Sequence, residues 1–158
     1  MLDLSKSSMA TCSNPNLSRD QSPPSRVLIV DDHDSARRAM RLLLERDKSL
    51  VVCGEAADGS EAVDRAVALR PDVIVMDVAM PRMNGLQAAE KIGDALPESR
   101  VLLISLNASE YMLPKKRGTI FGLVSKQQAA AELPRAVHAV LDGDTYFKSE
   151  SRNFYGSN

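Results

Sequence analysis

The sequence predicts an α/β domain: a single doubly wound parallel sheet of five strands with helices on both faces. Three observations predict it. Short apolar runs of strand length recur about five times within roughly 120 residues. Stretches with apolar residues at helical spacing lie between most of them. Prolines at 71 and 97 close two of those stretches. Alternation of this kind builds a parallel sheet through right-handed crossovers. A chain of 158 residues is long enough for one domain with a real core and too short for two ordinary ones.

Residues 1–25, which include "SNPNLSRDQSPPS", hold too few large apolar side chains to repay the cost of ordering them, so a disordered tail is expected. "RVLIVDD" is a β-branched run ending in acids and reads as a fully buried strand. In "SARRAMRLLLER", Ala36, Ala39, Met40, Leu43 and Leu44 fall at helical spacing with arginines between them. "LVVCGEA" is the second strand. "GSEAVDRAVALR" is the second helix, with Ala62, Val63, Ala66 and Val67 on one stripe. "DVIVMD" is the third strand and "GLQAAEKIGDAL" the helix after it. "RVLLIS" and "FGLVSK" are strands four and five, and "NASEYMLPKKRGTI" between them predicts a short or frayed helix. The last helix, "AAAELPRAVHAVLDG", carries Ala130, Leu133, Ala136, Val137, Val140 and Leu141 on its apolar stripe. Pro134 should remove a backbone bond unless that helix starts late.

Hydrophobic residues make up 44% and charged residues 26%, with a net charge of −1, so bulk charge points to neither nucleic acid nor a membrane surface. No apolar run approaches the roughly 20 residues of a membrane span, and "MLDLSKSSMATCSN" lacks the apolar core of a secretory signal. With Cys12 in a polar tail and Cys53 in an apolar run, a cytoplasmic protein with free thiols is expected.

In an open parallel sheet, sites form beyond the carboxyl ends of the strands. The residues falling there are Asp31 and Asp32 after strand one, Asp77 at strand three, Ser105 at strand four and Lys126 after strand five. Each has an ordinary explanation: a helix cap for the acid pair, a polar strand end for Asp77 and Ser105, a solvated surface lysine for Lys126. Their convergence on one edge does not. Three neighbouring carboxylates cannot all stay ionised without compensation, and a hard divalent cation such as Mg²⁺ removes the conflict while leaving room for a phosphate. Asp77 ends its strand and precedes a turn containing Pro81 and Gly85. It is therefore the acid best placed to attack a phosphoryl group, with Ser105 and Lys126 stabilising charge on the equatorial oxygens.

With these residues in place, the chain resembles the receiver domain of bacterial two-component response regulators. The pieces are "VLIVDDH", "GSEAVDRAVALRPDVIVMDVAMPRMNG", "VLLIS" and "GLVSK", spread over about residues 26–148. "DDHDSARRAMRLLLE" and "GDTYFKSE" look most like the subgroup that usually carries a C-terminal LuxR-type helix-turn-helix. The resemblance implies a flavodoxin-like strand order 2-1-3-4-5, a receiver domain over 26–148 and a short tail over 149–158. It makes Asp77 the phosphoryl acceptor and Lys126 the partner of the phosphate, with Ser105 as the switch hydroxyl. Asp31, Asp32 and Asp77, with the backbone carbonyl of Ala79, would hold Mg²⁺. The implied partners are a histidine kinase or phosphotransfer protein, a downstream protein, and a second copy if it dimerises. The chain would be no enzyme beyond assisting its own phosphorylation and dephosphorylation. A helix-turn-helix needs roughly 60 residues beyond the last helix, so direct DNA binding is not expected of this chain.

Several positions depart from the family pattern. Leu123 stands three before the lysine, where Tyr or Phe is usual, with Phe121 two residues away. Leu106 replaces the usual small residue after the switch hydroxyl, where it would crowd Asp77. "GTI", Gly118 to Ile120, replaces a small-residue triplet, and Lys115 and Lys116 fall where Ala and Leu are usual. A rival reading follows: a binding module with an impaired switch, acting constitutively through segment 107–120, strand five and the last helix. A phosphatase of the aspartyl-phosphate kind is disfavoured, because Ala79 occupies the place of its second acid.

Overall fold

The computed structural model describes residues 22–107 and 118–147. Its sheet is parallel, with strand order β2-β1-β3-β4-β5-β6. The strands are β1 (Ser25–Val30), β2 (Leu50–Ala56), β3 (Val73–Asp77), β4 (Val101–Ser105), β5 (Ile120–Ser125) and β6 (Tyr146–Phe147). The helices are α1 (Asp34–Glu45), α2 (Gly59–Leu69), α3 (Gly85–Ala95) and α4 (Ala129–Leu141). The expected order 2-1-3-4-5 holds, and β6 adds an edge strand, within the expected 26–148 domain, beyond the five strands expected. Two residues of "TYF" are too short a run to announce a strand. They pair because Gly122 has no Cβ; one added there would lie 2.7 Å from the Tyr146 carbonyl.

The sheet is covered on both sides, as continuous apolar strands require. Every residue of β3 and β4 is buried. Alternation within β1 still assigns the faces. Leu28 and Val30 join Ala62 and Ala66 of α2 and Ala88, Ala89 and Ile92 of α3 in one cluster. Val27 and Ile29 join Met40 and Leu44 of α1 and Leu133, Ala136 and Val137 of α4 in the other.

Three expectations need correction. In α2 the buried stripe is Gly59, Ala62 and Ala66, and Val67 is exposed. In α1, Met40 and Leu44 are buried while Ala39 is exposed. Ala130 of α4 is also exposed. The last helix runs as expected from the start of "AAAELPRAVHAVLDG": α4 begins at Ala129 and continues through Pro134, which removes one backbone bond. The carbonyl that loses its donor belongs to Ala130, and water can reach it there, which softens the penalty. The short helix expected over 107–120 falls largely on residues outside the described ones.

Candidate functional site

The carboxyl ends of β1, β3, β4 and β5 bring the expected residues to one edge. Asp31 is fixed first by backbone: its N–H donates to the Ala56 carbonyl at 3.1 Å, and its own carbonyl accepts from Arg37 Nη1 at 2.6 Å. Arg37 is the residue the sequence reading passed over, as one of several arginines on a helix. Its side chain is only 14% exposed and also donates through Nε to Glu55 at 3.0 Å, so α1 is tied to the ends of both β1 and β2.

Asp77 is buried at the last position of β3. The turn beyond it is built around Gly85, whose N–H donates to the Val78 carbonyl at 2.8 Å. A Cβ at Gly85 would lie 2.4 Å from the Asp77 carbonyl oxygen, so only glycine lets the first turn of α3 sit against the acid. Asn84 and Gln87 close a capping box there, each side chain accepting from the other's backbone N–H. The loop between leaves Ala79 exposed, so the pocket opens on that side.

Lys126 joins two of the acids. Its Nζ donates to Asp31 Oδ2 at 2.8 Å and stands 3.3 Å from Asp77 Oδ2. One ammonium therefore faces two buried carboxylates, which leaves the pocket with excess negative charge. Burial raises the Asp77 pKa, and the nearby Asp31 charge raises it further. Lys126 and the Ala79 N–H, 3.3 Å from Oδ1, oppose that rise without cancelling it. For Lys126, burial pulls its pKa down, but the hydrogen bond it donates to Asp31 and the charges of both acids win and hold it up.

Asp32 stands apart from that bridge, beside His33. Its Oδ1 is buried and makes no hydrogen bond among the described residues, although His33 Nδ1 is 3.1 Å away. The contact is close but not directed as a donor to an acceptor, so the oxygen is near a ring nitrogen and still unsatisfied. A buried carboxylate oxygen without a partner is costly, and a cation is the natural partner. Ligand atoms of Asp31, Asp32 and His33 lie within 4.8 Å of one another, which suits a small divalent ion. His33 was not singled out in the sequence, although "DDH" placed it beside the acids. Ser105 is buried at the end of β4, opposite Ser125, and its Oγ accepts from the Asn107 N–H at 3.1 Å. Leu106 points outward, 62% exposed.

This arrangement matches a known family. The sequence pattern of the family described as "Response regulator receiver domain" fits residues 27–138. The chain belongs to the response regulator receiver family. It is 34% identical over 126 residues to "Transcriptional regulatory protein LiaR" of Bacillus subtilis, covering 79% of this chain and 60% of that protein. It is 35% identical over 126 residues to "Response regulator UvrY" of Escherichia coli, covering 78% of this chain and 57% of that protein. The chain thus spans little more than half the length of these relatives. Among solved structures, a LuxR-family two-component response regulator from Aurantimonas superposes with a TM-score of 0.73 at 32% identity, over 78% of this chain and 89% of that one. The signal receiver domain of the putative response regulator NarL from Mycobacterium tuberculosis gives 0.68 at 30% identity, over 77% and 99%. Receiver domains are signalling domains that generally bind Mg²⁺ at an acidic pocket, and the pocket here has the donors to do so. Among the described residues no helix is long and apolar enough to cross a membrane.

Proposed function

We propose that this receiver accepts a phosphoryl group on Asp77 from the phosphohistidine of a kinase or phosphotransfer protein and signals through protein contacts. The observation that carries the reading is the Lys126 bridge between Asp31 and Asp77 at the open end of a buried strand. In the transfer, an Asp77 carboxylate oxygen attacks phosphorus. A P–O bond forms as the P–N bond to imidazole breaks, and the leaving nitrogen takes its proton from the donor side. Asp31, Asp32, Asp77 and the Ala79 carbonyl would hold Mg²⁺, which when bound offsets charge on the phosphoryl oxygens.

The chain's own groups supply the rest. The Lys126 ammonium stands within reach of both acids and would follow the new charge on Asp77. Ser105, one strand over and bonded among the described residues to the Asn107 N–H of its own turn, would rotate toward the phosphoryl oxygens. That movement is the switch, and it shifts the population only through contacts the phosphorylated state alone makes.

One observation favours a weakened output. Leu123 is buried in one core cluster, while Phe121 packs in the other, on the opposite side of the sheet. The pairing register slips between Val101↔Ile120 and Leu102↔Gly122, so Phe121 sits in a bulge that turns its ring away from the Leu123 side. Arg100 covers that ring, 5.6 Å from its centroid. Phe121 therefore cannot stand in for an aromatic at position 123. The reading of a constitutive binding module gains from this, but it leaves the acid pocket unexplained. Intact mass after incubation with Mg²⁺ and a small phosphoryl donor separates the two. A single Mg²⁺-dependent phosphoryl adduct, lost in Asp77→Asn, is expected. An adduct that persists in the variant would refute the acceptor assignment.

A further inference from the structure

One side chain in the pocket has no part in the transfer: the imidazole of His33. We propose that His33 is a nitrogen ligand to the divalent cation held by Asp31 and Asp32, which tilts this pocket toward late first-row ions such as Co²⁺ over Mg²⁺. The inference rests on reading the two acids as the metal pair.

The geometry is that of a shared ion. His33 Nδ1 lies 3.3 Å from Asp31 Oδ1 and 3.1 Å from Asp32 Oδ1. Adjacent ligands of an octahedral ion with bonds of about 2.1 Å are separated by about 3.0 Å. On Asp31 the oxygen that faces His33 is Oδ1, because Oδ2 is taken by Lys126. Among the described residues Asp32 Oδ1 is buried without a hydrogen bond, even with a ring nitrogen at its side. Against Asp32 Oδ1 the ring nitrogen shows the closeness without donor direction of ligands gathered round one cation, whereas against Asp31 Oδ1 it is within hydrogen-bonding geometry.

Backbone holds the histidine in position. The His33 N–H donates to Asp31 Oδ1 at 2.9 Å, and the residue is the N-cap of α1 with φ −105° and ψ 123°. Its side chain makes no capping bond, so the imidazole is not needed by the helix. That side chain is 68% exposed, so solvent and a hydrated ion can reach it. An all-oxygen pocket suits Mg²⁺, whereas an imidazole adds more for Co²⁺ or Ni²⁺.

The test is calorimetric titration of the full chain with Co²⁺ and with Mg²⁺, for the unmodified protein, His33→Ala and Asp32→Asn. Proton NMR of the Co²⁺ form then looks for a strongly shifted imidazole N–H. The His33→Ala substitution should lower Co²⁺ affinity by at least about tenfold and Mg²⁺ affinity by less than about twofold, and abolish the shifted signal. Asp32→Asn should weaken both ions. If both ions bind and His33→Ala changes neither, or weakens both equally, the His33 assignment falls while the metal pair stands. If neither ion binds the unmodified protein, both fall together.

Discussion

The two ends of the sheet use the same kinds of side chain in opposite ways. At the amino end, charged groups are matched to partners. Arg26 donates to the Leu69 and Arg70 carbonyls at 2.6 and 3.1 Å, closing the C-terminus of α2. Arg100 donates to the Val140 and Leu141 carbonyls at 2.9 and 2.7 Å, closing α4. Asp47 accepts from the Ser49 hydroxyl at 2.6 Å and contacts His138 Nε2 at 2.6 Å. At the carboxyl end, two buried acids share one lysine and a third keeps an unsatisfied oxygen. Partnered charge is structure. Charge left in conflict is capacity to bind.

The comparison can be broken at several points. The largest effect is expected from Lys126→Ala without divalent ions, which leaves Asp31 and Asp77 facing each other uncompensated. A loss on the order of 2–3 kcal/mol in urea unfolding is expected, discounted for the partial exposure of the lysine. Next comes Gly85→Ala, whose Cβ would collide with the Asp77 carbonyl. It should cost about 1–3 kcal/mol by the same measurement and reduce phosphoryl labelling as well, because the clash displaces the acceptor's own backbone. At the other end, Arg100→Ala should cost about 2 kcal/mol through lost carbonyl bonds and the Phe121 contact, while leaving labelling unchanged.

These positions also show what the sequence disclosed. The acid pair, Asp77 and Lys126 were legible because strand ends in a parallel sheet share an edge, so a linear pattern became a spatial one. Arg37 and His33 were not, because their roles depend on which way a side chain turns from a helix start, and spacing alone says nothing of that. The bulge at Phe121 was invisible for a related reason. "FGLVS" keeps an apolar texture whether or not one residue is squeezed out of register. The sixth strand was missed because it depends on a glycine in its neighbour rather than on its own two residues.

The smallest effect expected is a pH signature at the amino end. The Ser49 hydroxyl, then His138 and the Ser49 N–H, hold Asp47 down to about 2 from its ordinary 3.8. A depressed carboxylate stabilises the fold above its unfolded pKa and loses that contribution as pH falls through the folded one. The stability difference between the unmodified protein and Asp47→Asn should therefore be full above the ordinary value and shrink as pH drops toward 2. A difference that stays constant across that window would mean the contacts of Asp47 do not depend on its charge.

The contrast itself is tested most directly by urea unfolding of Asp77→Asn and Asp47→Asn side by side, at neutral pH with divalent ions chelated. Removing a charge in conflict should stabilise the first variant, and removing a partnered one should destabilise the second. Two variants that both lose stability would contradict the account, since Asp77 would then be as fully partnered as Asp47 and the pocket would hold no unspent charge for a cation or a phosphoryl group.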